Sequence, residues 1–343
     1  MKSAFFLATS ALIATRAAAD LQDVQPQVYS SEQELEMLLE TFAKYNAALN
    51  FDEFQGSQPV VGILTTPVFD PMMETETFKN FPHFTWETNV HFVHYAGSWA
   101  VPIRYDLSDE DLTALLDSVN GVFFAGGGSE LINRETGEQS EVYKAAKRIY
   151  EYMKTQKDDK GIDFPIFGIC QGFEIIHYLA NEDDKETLSN VTIYGESRKM
   201  DPTKAIEHSA MFDFFPDELV KQMSEEDLLL HAHDWVIKTD TYAERKQLSD
   251  FFDVMATDTH NGETFVVAVE GKHYPVSGTM FHPETQNRHI VGEADFTIAG
   301  KVNTEVTDEI NYHFSEYLNA QAKKTLDTHA FEDKEFGMRM EWL

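Results

Sequence analysis

The chain has a single cysteine, Cys170, set in the run Gly168-Ile169-Cys170-Gln171-Gly172. An apolar stretch, Phe164-Pro165-Ile166-Phe167, precedes it and a helical pattern follows. That order predicts a tight strand-to-helix elbow, where flanking glycines let the backbone bend sharply and project a nucleophile into a cleft. An inert core thiol, the commonest fate of a free cysteine, would not need the two glycines. A cysteine nucleophile needs a base to form thiolate and later to protonate a leaving group, and the base needs an orienting acceptor. His282-Pro283-Glu284, at the end of the strand-like segment from Tyr274 to Phe281, carries both types. In extended backbone residues two apart point the same way, so Glu284 can accept from the imidazole of His282.

Acyl transfer also needs N–H groups aimed at the developing oxyanion. At an elbow one donor is the N–H of the following residue, here Gln171. A second can come from Gly126-Gly127-Gly128, directly after the apolar run ending at Ala125; a phosphate nest or a plain turn has the same composition. His231 and His233 share one face of the apolar segment from Leu228 to Trp235, beside Asp234. No third ligand follows at a convincing spacing, so no metal site is expected and a substrate-facing histidine is the preferred reading. His177 and His208 read as locally satisfied polar residues.

These residues must be held by a scaffold. Short continuous apolar runs at Pro59 to Leu64, Ala100 to Ile103, Gly121 to Ala125 and Pro165 to Ile169 have the pattern of buried parallel strands. Helical patterns alternate with them, at about Thr85 to Gly97, Glu110 to Val119, Glu141 to Thr155, and from Cys170 to about Ala180. The order argues an α/β fold with a doubly wound, mostly parallel sheet. Later segments, Val254 to Thr257, Thr264 to Val269 and Tyr274 to Phe281, add closely spaced antiparallel strands, and Asp308 to Lys323 forms a closing helix.

At 343 residues, with 42% hydrophobic and 13% aromatic content, the chain can bury a large core. Its first 19 residues have a basic start, a short apolar centre and Ala17-Ala18-Ala19 before Asp20. This predicts a cleaved signal peptide, and no later apolar run approaches the roughly 18 residues of a membrane span. The expected organisation is a leader at 1–19, an extension at 20–57 with an amphipathic helix over Glu32 to Tyr45, a catalytic domain at 58–326 and a tail at 327–343. Secretion makes a lone thiol costly to keep, since it can be oxidised but cannot form an internal bridge. Asn190-Val191-Thr192 is a glycosylation acceptor sequence consistent with that route. The formal net charge of −32 disfavours nucleic acid and anionic membrane as partners.

Together these segments resemble the γ-glutamyl hydrolases, secreted or lysosomal (vacuolar) cysteine peptidases of the class I glutamine-amidotransferase-like superfamily, which has a flavodoxin-like fold. The likeness runs from about Pro59 to Glu284. It is carried by Asn120 to Gly127 as the glycine turn, Gly168 to Glu174 as the nucleophile segment, His233-Asp234-Trp235 as the cleft His-x-Trp, and His282-Pro283-Glu284. The resemblance implies Cys170 as nucleophile, His282 as general acid/base, Glu284 as its orienter, Gly127 and Gln171 as oxyanion donors, and His233 facing the substrate. It implies hydrolysis of a small γ-glutamyl amide, as in folate poly-γ-glutamate, through a thioester and without a cofactor, and leaves a homodimer open. Gly128, and Thr285 where a lysine is common, depart from the family pattern. A glutamine amidotransferase or glutaminase, and a non-catalytic binding or structural protein on the same fold, are the alternatives.

Overall fold

The computed structural model describes residues 58–68, 82–286, 302 and 304–331. The expected leader, the helix over Glu32 to Tyr45 and the tail beyond Phe331 lie outside them. The described residues from Pro59 to Phe331 form one compact unit. After β1 (Val60–Leu64) comes a small ribbon of β2 (Thr66–Pro67) and β3 (His83–Phe84). The chain then passes through α1 (Glu87–Tyr95), β4 (Trp99–Ile103), α2 (Asp109–Leu116), β5 (Gly121–Phe124), α3 (Glu141–Lys160), β6 (Ile166–Ile169) and α4 (Gln171–Ala180). Strand–helix alternation of this kind yields parallel neighbours, and β4, β1, β5 and β6 lie side by side in that order, all parallel.

The second half widens the sheet. β7 (Ser189–Arg198), β8 (Asp201–Pro202), α5 (Asp217–Glu225), β9 (Leu229–Val236), α6 (Thr239–Glu244), α7 (Lys246–Phe251), β10 (Phe252–His260), β11 (Glu263–Gly271), β12 (Val276–Thr279) and α8 (Glu305–Lys323) follow. β12 joins the two regimes: it runs parallel to β6 on one side and antiparallel to β11 on the other, and β10 and β8 complete eight strands. β12 is shorter than the expected run from Tyr274 because a tight turn, Val276 N–H to Tyr274 O at 2.8 Å, occupies its start. β7 and β9 form a separate antiparallel ribbon. β7 is absent from the expected elements, although its buried residues Val191, Ile193 and Gly195 alternate with exposed ones as a half-buried strand requires.

Local signals set the helix ends. Ser140 caps α3 by accepting from Tyr143 N–H, and Gly161 ends it at φ 68°, the left-handed conformation that glycine adopts cheaply. Thr304 and Thr307 form a reciprocal capping box on α8. On one sheet face Phe92 of α1 packs on Phe123 and Phe167, with ring centroids 5.2 and 5.9 Å apart, and Phe314 of α8 meets Phe281 at 5.7 Å. His329, in the expected tail, is buried: its carbonyl accepts from Asn120 Nδ2 at 2.9 Å and its ring meets Tyr152 Oη at 3.0 Å. Among the described residues no helix is long and apolar enough to cross a membrane.

Every residue of α4 is buried, and its first turn lies against the sheet so closely that a Cβ on Gly172 would stand 1.9 Å from Phe124 O. No rotamer relieves a clash with backbone. We therefore expect Gly172→Ala to destabilise the fold by about 3 kcal/mol or more, read as a lowered urea midpoint. An unchanged midpoint would mean that α4 can lift from the sheet freely.

Candidate active site

Three neighbouring strand ends assemble the site. The register aligns Phe124 of β5 with Gly168 of β6, and Gly168 with Gly278 of β12. The chain therefore leaves β5 into Gly126–Gly128, β6 into Cys170 and β12 toward His282, all at the carboxyl edge of the sheet where open α/β folds bind ligands. Cys170 stands between the glycine turn and the histidine. Its N–H donates to Thr279 O at 2.9 Å, and the backbone of His282 is pinned by N–H donation to Leu230 O at 2.8 Å. These bonds tie both residues to the scaffold and to β9.

Cys170 has φ 51° and ψ −108°, a left-handed backbone in a non-glycine residue and the strained geometry of an elbow. Strain of this kind costs about 1–3 kcal/mol, so the surroundings must impose it. A Cβ on Gly168 would lie 2.5 Å from Gly172 O, so the two glycines the motif requires are those that let the turn close on itself. The thiol is buried, with Sγ 3.8 Å from Ala232 O.

His282 Nδ1 lies 2.7 Å from Glu284 Oε1, the expected orienting pair. The donation fixes the tautomer and leaves Nε2 for the cysteine side; Nε2 has no hydrogen-bond partner among the described residues. A Cβ on Gly126 would meet His282 Cε1 at 2.9 Å and Cys170 Cβ at 3.5 Å, so the first glycine of the turn touches both. Burial is the largest influence on the imidazole and opposes its charge. The Cys170 sulfur and the Glu284 carboxylate together outweigh it and raise the proton affinity of His282 well above the usual histidine range.

The glycine turn is shaped unevenly. A Cβ on Gly127 would stand 2.7 Å from Gln171 Oε1, whereas one on Gly128 would meet nothing within 4 Å. The third glycine is thus not required by space. Gln171 begins α4 beside this turn, so the two expected oxyanion donors lie on adjoining segments.

His233 sits in β9, buried, and is pushed down to about 3 by burial first and by the charge of His282 next. Its Nε2 lies 2.9 Å from His231 Nδ1, so the two histidines bond to each other. Among the described residues no group of three or more His, Cys, Asp or Glu could hold a metal. His177 is held by Phe173 O and Tyr242 Oη, at 2.7 and 2.6 Å. Asn190 is exposed on β7, its Nδ2 donating to Asp234 O at 3.1 Å.

Glu174 closes the nucleophile segment, and the family resemblance implies no role for it. It lies one helical turn past Cys170 and is buried; burial chiefly pushes its carboxyl up to about 8, with Arg134 opposing and Asp234 assisting. At neutral pH it is therefore mostly a neutral acid able to donate a hydrogen bond. The spacing of four from the nucleophile on a helix was the available signal. Arg134 stacks on Trp235, its guanidinium carbon 3.7 Å from the ring centroid, and donates to Leu188 O at 3.0 Å.

His282 holds its proton through neutral pH and loses it only as the pH rises through its raised pKa. Replacing Glu284 by Gln removes one of the two groups that raise it. The expected result for Glu284→Gln is an alkaline limb of the activity–pH profile moved down by about one unit or more, with kcat lower by about 10- to 100-fold. An unmoved limb would mean that Glu284 does not tune His282.

The Peptidase C26 family model matches residues 59–284, which include the glycine turn, Cys170, His282 and Glu284. A γ-glutamyl hydrolase of Homo sapiens is 31% identical over 228 residues, covering 66% of this chain and 67% of its own. One of Mus musculus is 27% identical over 279 residues, 80% of each chain. A probable γ-glutamyl hydrolase 3 of Arabidopsis thaliana is 28% identical over 284 residues, covering 79% of this chain and 74% of its own. The chain belongs to the Peptidase C26 family and is a hydrolase of the cysteine type.

Proposed function

We propose that the protein hydrolyses γ-glutamyl amide bonds, with folate poly-γ-glutamates as the substrate class, through a thioester on Cys170. The reading rests on one observation: Gly126–Gly127, Cys170 and His282 leave three neighbouring strands at one edge of the sheet, with His282 bonded to Glu284 at 2.7 Å. The names of the human, mouse and plant relatives support the γ-glutamyl part. The net charge of −32 favours a small molecule over nucleic acid as partner.

In this mechanism the Cys170 thiolate attacks the amide carbonyl, and its carbon–oxygen double bond opens to an oxyanion held by the N–H groups of Gly127 and Gln171. Protonated His282 gives its Nε2 proton to the amide nitrogen, the carbon–nitrogen bond breaks, and the amine departs, leaving a thioester. Neutral His282 then takes a proton from water as the water oxygen attacks the thioester. The glutamyl carboxylic acid leaves, Cys170 returns as thiolate and His282 keeps the proton. Glu284 holds the imidazole in one tautomer throughout. His233, neutral beside it, faces the substrate, and the chain acts in a secretory or vacuolar compartment.

The test is incubation of the mature protein with a folate polyglutamate and, separately, with free glutamine, alongside Cys170→Ala. The expected outcome is release of glutamate or γ-glutamyl peptides that falls at least about 10³-fold in the variant. Ammonia from glutamine without polyglutamate cleavage would instead make it a glutaminase, and no turnover of either by the folded wild type would make it a binding protein.

A further inference from the structure

The residues of the glycine turn and α4 place a second duty on Gln171. Its side chain is buried, yet it makes both of its polar contacts with one backbone residue: Ser129 N–H donates to Oε1 at 3.3 Å, and Nε2 donates to Ser129 O at 2.7 Å. The amide thus imitates a strand neighbour, satisfying the donor and the acceptor of one residue together. Ser129 lies two residues past Gly127. Among the described residues no backbone–backbone hydrogen bond reaches residues 126–129, so these two side-chain bonds are the polar ties on the turn backbone there. Gly127 is exposed to the cleft while Gln171 Oε1 lies directly behind it, at 2.7 Å from where a Cβ would be. A side chain there would displace the clamp.

We propose that the side chain of Gln171 is a positioning residue that sets the spacing of the two oxyanion donors, by clamping the Gly126–Ser129 turn onto the start of α4. One residue then supplies a donor through its main chain and fixes the other through its side chain. The proposal rests on the acyl-transfer reading above. Substituting Gln171 leaves both N–H groups chemically present, so any loss reports their placement alone. A donor moved off the oxyanion position by a fraction of an ångström loses strength in the transition state more than in the ground state.

The test compares wild type with Gln171→Met, which keeps length without polar atoms, and with Gln171→Glu, which keeps an acceptor for Ser129 N–H but loses the donor to Ser129 O. Met is expected to lower kcat by about 10- to 100-fold, with KM within about threefold. Alkylation of Cys170 by iodoacetamide, a displacement that forms no oxyanion, should stay within about twofold. Glu should regain activity relative to wild type as pH falls, because its protonated carboxyl can again donate to Ser129 O. Amide hydrogen exchange of residues 126–130 should rise at least about tenfold in Met, with that of α4 unchanged.

Wild-type kcat in Gln171→Met would overturn the proposal. So would a fall in alkylation that matches the fall in kcat, since the residue would then serve the elbow as a whole. Exchange of residues 126–130 unchanged in Met overturns the clamp even if the wild type proves inactive on γ-glutamyl amides, the separate result that would sink the acyl-transfer reading.

Discussion

The register that aligns Phe124, Gly168 and Gly278 across β5, β6 and β12 is the constraint on which the site depends. Side chains alternate in a strand, so a slip of one residue in β12 would turn its following segment to the other face and carry His282 away from Cys170. Parallel strands also release their chains at the same edge. Gly126, Cys170 and His282, distant in sequence, therefore meet just beyond the ends of their strands. The packing of α4 supports the same register, because Gly172 approaches Phe124 O and Gly168 approaches Gly172 so closely that neither position admits a side chain.

The elbow and the histidine are costly features that depend on one another. Cys170 is held at a positive φ, and His282 carries charge where burial opposes it. What offsets the second cost is the pairing of the imidazole with the Cys170 sulfur and the Glu284 carboxylate, in a setting where water screens little. The neighbouring histidines have no such partners. His233 and His231 are driven well below the usual range by burial first, and they bond to each other. Four titratable groups of β9 and the β12 exit thus sort into one charged histidine beside two neutral ones, with Glu284 as the acceptor.

Much of this was legible in the residues. The buried parallel strands β1, β5 and β6 appeared as continuous apolar runs because both faces of the sheet are covered there, and the elbow glycines marked the turn because only they fit it. The His282–Glu284 pair was expected from the two-residue period of extended chain, but the residues Pro283–Gln286 form a 3-10 turn, and it is this turn that brings Glu284 Oε1 to His282 Nδ1. β7 was missed because its alternation is polar-rich and its partner is a ribbon outside the main sheet. Whether His231 and His233 would meet a metal, a substrate or each other depends on rotamers and burial that spacing does not reveal. The Gln171 amide clamp joins residues 42 apart, so it could be seen only once the turn and α4 were side by side. The contact of His329 with Asn120, a bond spanning 209 positions, was hidden for a similar reason.

The central claim is that this assembly forms a covalent acyl intermediate on one sulfur. The most direct measurement is rapid-quench mass spectrometry of wild-type protein mixed with a folate polyglutamate, followed by peptide mapping. The account predicts an acid-stable, hydroxylamine-sensitive adduct of the acyl fragment on the peptide bearing Cys170, appearing before steady-state turnover and absent from Glu284-intact Cys170→Ala. Product release with no adduct on Cys170 at any time, or an adduct on another residue, would contradict it.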